Sequence, residues 1–241
     1  MRSSNIAQKG FKNAKYAHSN LNSMSISGTF NKAILLTLVV LIFGAFSWIY
    51  LPMALLFPLL IITFIAGLGV IIFLAFKPHL AKYFIFPYAI VEGIFLGLIS
   101  KLFETLYPGI VIQAIALTVI IALLMNVLYQ RRIIKVTEKF RSIMTVAILS
   151  VLGIYLISFT LMLFGITFPY IHSSGPIGIL FSIVVVIIAS LTFLLDFDMI
   201  EKFSKQGLDK DYEWYGAFAL LITLVWLYIE LLKLLSKIKR N

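Results

Sequence analysis

The stretch from Met53 to Phe76, MALLFPLLIITFIAGLGVIIFLAF, runs for twenty-four residues without a charged side chain. At about 1.5 Å of rise per residue, a helix of that length crosses the roughly 30 Å hydrocarbon core of a bilayer. A helix pairs its own backbone amides and carbonyls, which lipid cannot do for it. The stretch lacks the alternation of polar and apolar residues that a membrane β-strand requires. Six further apolar runs accompany it, at 33–50, 84–103, 109–129, 143–164, 175–196 and 213–235. The breaks between runs carry turn-forming residues: Tyr50-Leu51-Pro52, Lys77-Pro78-His79, Tyr107-Pro108-Gly109 and Ser173-Ser174-Gly175-Pro176. The expectation is an all-α polytopic membrane protein with seven transmembrane helices. It divides into a polar basic arm at 1–32, a seven-helix domain at 33–235 and a basic tail at 236–241.

Composition agrees with this reading and excludes the main rivals. Hydrophobic residues make up 61% of the chain and charged residues 12%, against about 45–50% and about 25% in soluble domains. With no cysteine, disulfides, thiol catalysis and thiolate metal sites are excluded. The formal charge of +10 is better explained by anionic lipid and membrane topology than by nucleic acid. The first apolar run opens only at about Ala33, so a cleavable signal peptide is not expected.

Orientation follows from the cations. With the N-terminus inside, the inner segments hold Arg2, Lys9, Lys12, Lys15, Lys32, Lys77, Lys82, Arg131, Arg132, Lys135, Lys139, Arg141, Lys202, Lys205 and Lys210. The outer segments hold Lys101 and the tail residues Lys233, Lys237, Lys239 and Arg240. The bias favours a cytoplasmic N-terminus, although the basic tail opposes its own outside placement. The loop Gln130–Arg141 and the basic arm read as topology determinants on a solvated face.

The acids carry the main chemical signal. An ionised carboxylate within a span costs about 2.5–3.5 kcal/mol on insertion scales, so it turns to the bundle interior, a water cavity or a cation. Five of the ten acids lie in or beside the spans: Glu92, Asp196, Asp198, Glu213 and Glu230. No Arg or Lys stands at mid-span to neutralise them. Glu92 has Tyr88 one turn away as a hydroxyl partner, and Gly93 with Gly97 sets a small-residue spacing for close helix packing. Glu92 fits either a protonated packing lock or a functional acid. Glu230 lies seventeen residues, about 25 Å of helix, beyond Glu213. Lys233 and Lys237 follow it at helical spacings, so an interfacial ion pair is one role open to it, but the surrounding Leu and Ile favour a functional acid. Asp196 and Asp198 end the sixth run, and an i, i+2 pair points to different helix faces. On that placement they return to water beside Lys202 and Lys205.

Enzymatic chemistry finds no support. The three histidines, His18, His79 and His172, all fall in loops. There is no His-Glu-x-x-His zinc motif, P-loop or dinucleotide fingerprint. Neither an enzyme nor a resident cofactor is expected.

Several stretches together resemble the Bax-inhibitor superfamily, in particular its bacterial YccA-like branch. They are Met1-Arg2-Ser3-Ser4-Asn5, Tyr88-Ala89-Ile90-Val91-Glu92-Gly93 with Leu96-Gly97 and Ser100, and Tyr107-Pro108-Gly109-Ile110-Val111 through Gln113-Ala114. The most specific are Leu195-Asp196-Phe197-Asp198, Glu213-Trp214-Tyr215-Gly216-Ala217 and Leu224-Val225-Trp226-Leu227-Tyr228-Ile229-Glu230. The resemblance implies a central last helix wrapped by the other six, a cytoplasmic N-terminus and an outside tail. Some members of the superfamily pass Ca²⁺ passively and with pH dependence, using a pair of acids on the sixth and seventh helices. Asp196 matches the first acid by its spacing to Ile200. Aligning on Leu227-Tyr228 assigns the second to Glu230, whereas counting from the start of the last helix lands near Ile222. On these spans Asp196 and Glu230 are too far apart to touch. Either the last helix starts deeper, or Asp196 partners another acid such as Glu213. The second span shows no counterpart of a cation that some relatives place there.

The function expected from residues and resemblance together is a pH-sensitive passive Ca²⁺ pathway in a bacterial cytoplasmic membrane. Its candidate pathway and gate residues are Asp196, Asp198, Glu213, Glu230 and Glu92, with Asp196 and Glu230 as Ca²⁺ ligands and Gly93 and Gly97 for packing. The alternative is a regulator without transport that binds a membrane-anchored protease, with the basic arm as its reach.

Overall fold

The computed structural model describes residues 22–165 and 173–240. The cations Arg2, Lys9, Lys12 and Lys15 and the histidines His18 and His172 lie outside the described residues. Seven long helices occur among those described: α1 (Ile26–Tyr50), α2 (Leu56–Phe76), α3 (Ala81–Leu106), α4 (Ile110–Gln130), α5 (Glu138–Leu163), α6 (Pro176–Lys205) and α7 (Tyr212–Arg240). All seven are long and apolar enough to cross a membrane, and the described residues contain no strand, only a bridge between Ser23 and Asp209. The protein is therefore an all-α, multi-pass membrane protein.

Local chemistry explains the helix ends. Ser25 caps α1 by accepting from the Gly28 amide at 3.0 Å, and Thr137 caps α5 by accepting from Phe140 at 3.1 Å. Before α4, Gly109 takes the left-handed φ of 85° that the Tyr107-Pro108-Gly109 turn requires. The Glu104 carboxylate then accepts from the amides of Gly109 and Val111, filling the open end of α4. The Lys101 ammonium donates to the Leu51 carbonyl at 2.8 Å, where α1 ends. Lys101→Met is expected to cost about 1 kcal/mol through loss of this hydrogen bond, measurable as a lowered unfolding temperature in detergent.

Two helices extend well beyond their apolar runs. α1 begins at Ile26, so the last residues of the basic arm are already helical. α6 continues to Lys205, nine residues past the expected end of the sixth run. The average hydropathy falls there, but apolar residues persist at helical spacing: Phe193, Phe197 and Ile200 are all buried. Asp196 and Asp198 accordingly lie inside a helix, and Asp198 is buried there rather than returned to water. Asp196 stands nine residues, about 13 Å of helix rise, from the Lys205 end.

The described residues form two compact units, one comprising 22–102 with 199–222 and the other 103–165 and 173–198 with 223–240. In the first unit, α1 and α3 approach closely. A Cβ on Gly97 would stand 2.2 Å from the Gly44 carbonyl oxygen, and one on Gly93 would stand 2.7 Å from that of Val40. Ser47 seals the contact with a 3.2 Å hydrogen bond to the Ile94 carbonyl. Tyr88 and Phe218 meet edge to face with centroids 5.0 Å apart. The segment before α1 is stitched to the loop between α6 and α7. Met24 N–H donates to the Leu208 carbonyl at 2.7 Å, Lys210 N–H to that of Asn22 at 2.9 Å, and the Ser204 hydroxyl to that of Met24 at 3.0 Å.

In the second unit, aromatic contacts pack α4 on α6 through Tyr129 and Phe197, 5.6 Å apart, and α5 on α6 through Tyr155 and Phe181, 6.3 Å apart. Burial ranks the helices sharply. In their most apolar windows α7 is 56% buried, α3 50% and α6 44%, against 17% for each of the others. Residues such as Ile42, Ile61, Ile120 and Val146 stay exposed, and an apolar surface that extensive suits lipid rather than water.

Candidate functional site

Each of the five acids singled out from the sequence is held by a partner on the structure. Glu92 is buried on α3, where Tyr88 is its side-chain hydrogen-bond partner, as their one-turn spacing suggests. Gly67 of α2 lies against this pair, since a Cβ there would stand 3.1 Å from the Glu92 carboxylate.

Glu213 opens α7 and is 1% exposed. One of its oxygens accepts from both the Ser25 amide and the Ser25 hydroxyl, each at 2.9 Å. The other is ion-paired to Lys32, whose ammonium also sits 4.8 Å from the centroid of the Trp214 ring. Gly28 makes room for this carboxylate, because a Cβ there would come within 2.4 Å of it. Nearby in sequence, Asp211 is ion-paired to Lys82 of α3.

The remaining acids belong to the second unit. Asp198 is buried and ion-paired to Arg141 in the first turn of α5. Arg141 was expected on a solvated loop face, but α5 begins at Glu138 and carries it into contact with α6. Glu230, 2% exposed, accepts from the Tyr155 hydroxyl at 2.8 Å and pairs with Lys233 at 2.9 Å. Lys233 also rests over the Tyr155 ring, 4.5 Å from its centroid. Asp196 accepts from the Thr223 hydroxyl at 2.6 Å. Asp196 and Asp198 thus engage different helices, as their i, i+2 spacing dictates.

Three of the five acids are reached by cations that stand away from mid-span. Lys32, Arg141 and Lys233 stand near helix ends, and their long apolar stems carry the charges to Glu213, Asp198 and Glu230. Further, Asp196 and Glu230 have separate partners. Thr223 and Glu230 are seven residues apart on α7, about 10 Å of rise, and among the described residues the two acids have no hydrogen-bond or ion-pair partner in common. Thr223 adjoins Ile222, the position reached by counting along the last helix. The partner of Asp196 on α7 is thus a hydroxyl and not an acid. Among the described residues, no group of three or more His, Asp or Glu side chains is arranged to hold a metal ion.

Among the described residues, Asp196 and Glu92 are the two span acids with hydroxyl partners and no ion pair. That distinction was invisible in the sequence because it depends on which helices meet. The i+3 spacing of Glu230 and Lys233 was readable. Ser25, Lys32, Arg141, Tyr155 and Thr223 were missed as partners. Of these, Tyr155 had a usable signal, a phenol in the middle of an apolar run.

The family model described as Bax inhibitor 1 like matches residues 3–240. None of the curated proteins compared matches the chain.

Proposed function

The chain belongs to the Bax inhibitor 1-like family, and from that membership and the state of Asp196 we propose that it is a pH-sensitive passive cation leak, with Ca²⁺ as the ion. We place it in a bacterial cytoplasmic membrane with its N-terminus inside. The observation that carries the reading is the hydroxyl contact of Asp196 with Thr223, well within α6 and, among the described residues, with no ion pair to Asp196. A carboxylate within a span and without an ion pair is costly. A passing hard cation, which prefers carboxylate and hydroxyl oxygens, supplies the missing charge, and so does a proton. Ionised Asp196 draws the cation in, and protonated Asp196 does not. Because the Thr223 hydroxyl both donates and accepts, it holds the carboxyl in place in either state. Glu230 serves a different role, since Lys233 already neutralises it.

Reconstitution in liposomes loaded with a Ca²⁺ dye tests the reading. Wild-type protein is expected to pass Ca²⁺, Asp196→Asn to pass much less, and Glu230→Gln to stay near the wild-type level. No flux through wild-type protein removes the channel, and unchanged flux in Asp196→Asn removes this residue from the pathway. Thr223→Val is expected to cost about 1 kcal/mol of stability by stranding the carboxyl without its donor, read as a lowered unfolding temperature.

A further inference from the structure

The second unit contains a cavity of about 180 Å³ lined by Tyr107, Tyr155, Ser174, Phe181, Ser182, Lys233, Ser236, Lys237 and Arg240. Its chemistry is opposite to that of the acids above. Three cations face it, and one carboxylate, Glu230, pairs with one of them. Lys237 is held in place by donating to the Gly178 carbonyl at 3.0 Å and to the Ser182 hydroxyl at 2.8 Å, and it lies 6.0 Å from the Phe181 ring centroid. Because Ser182 accepts from Lys237, its own O–H is left to donate. Arg240, exposed at the end of α7, adds a guanidinium with five donors.

We propose that this cavity binds a phosphate group. The excess positive charge repels a metal ion. The volume is below the roughly 300–1,000 Å³ of pockets for drug-sized molecules, so it fits a headgroup-sized anion and not a larger metabolite. Two lysines, an arginine and hydroxyl donors match the several acceptor oxygens of a phosphate better than a single carboxylate. The cations of the lining come from the last turns of α7, toward the end of a span, where lipid phosphates lie. The phosphate can therefore belong to an anionic lipid or be free in solution.

Purified full-length protein in detergent is titrated with inorganic phosphate by calorimetry, and the same preparation is examined for retained phosphatidylglycerol by native mass spectrometry. The variants are Lys237→Gln and Arg240→Gln. Arg240 is exposed at the end of α7, so its variant folds even if Lys237→Gln does not. Saturable phosphate binding weakened about tenfold or more by Arg240→Gln supports a free-phosphate site. Retained phosphatidylglycerol that Arg240→Gln strips away supports a lipid site. Absence of both ligands from wild-type protein overturns the proposal, as does binding that neither variant weakens. Ca²⁺ flux is not a readout here, so the site stands or falls independently of the leak.

Discussion

Replacing Lys32 by methionine is expected to destabilise the protein by about 3 kcal/mol, because it strands the Glu213 carboxylate in a buried site. Breaking a buried ion pair from one side typically costs about 3–5 kcal/mol. The lower end applies because Ser25 still offers its amide and hydroxyl to the carboxylate, and because Lys32 itself keeps some contact with solvent. The consequence extends beyond one pair. Ser25 is the N-cap of α1, and the preceding residues are hydrogen-bonded to the loop between α6 and α7. A stranded Glu213 therefore loosens the start of α1 and the start of α7 together. Thermal unfolding in detergent measures the loss. The double variant Lys32→Met with Glu213→Gln should recover most of it, since a neutral amide carries no stranded charge. A double variant as unstable as the single one would show that packing of the lysine stem, not charge, holds the clasp.

Replacing Gly97 by valine is expected to separate α1 from α3. A Cβ at this position would lie 2.0 Å from the Ser47 hydroxyl oxygen and 2.2 Å from the Gly44 carbonyl oxygen. The hydroxyl can rotate aside, but the carbonyl is backbone and moves only with its helix. Overpacking in a core costs about 1–3 kcal/mol when side chains can adjust. Here the obstacle is a helix backbone, so the expected cost is about 3 kcal/mol or more. The measurement is folded yield from membranes together with unfolding temperature. By comparison, a Cβ on Gly44 meets its nearest atom only at 3.4 Å, so Gly44→Ala should be far milder.

These two sites show what sequence could and could not supply. The spans were legible because hydropathy is a local property, and seven apolar runs became seven helices. Their ends were less so. α6 runs on to Lys205 because Phe197 and Ile200 keep an apolar face after the acids begin, which a window average hides. The spacing of Gly93 and Gly97 announced a close contact, but nothing local named Gly44 and Ser47 as its other half. The same reason hid the ion pairs. Glu230 and Lys233 are three residues apart and readable, whereas Lys32 with Glu213 and Arg141 with Asp198 join residues 181 and 57 positions apart. The acids themselves were visible from the start. Which of them lack a cation became visible only once the helices were placed.

That distinction is the centre of the account, and the pH profile of Ca²⁺ leak tests it most directly. Wild-type protein and Asp196→Asn are reconstituted in the same vesicles and followed from neutral to acidic pH. Asparagine keeps the shape of the side chain and a partner for Thr223 but has no charge to lose. The account predicts that wild-type leak falls on acidification, whereas the Asp196→Asn leak is low and flat throughout. An Asp196→Asn profile that follows the wild-type curve would contradict it.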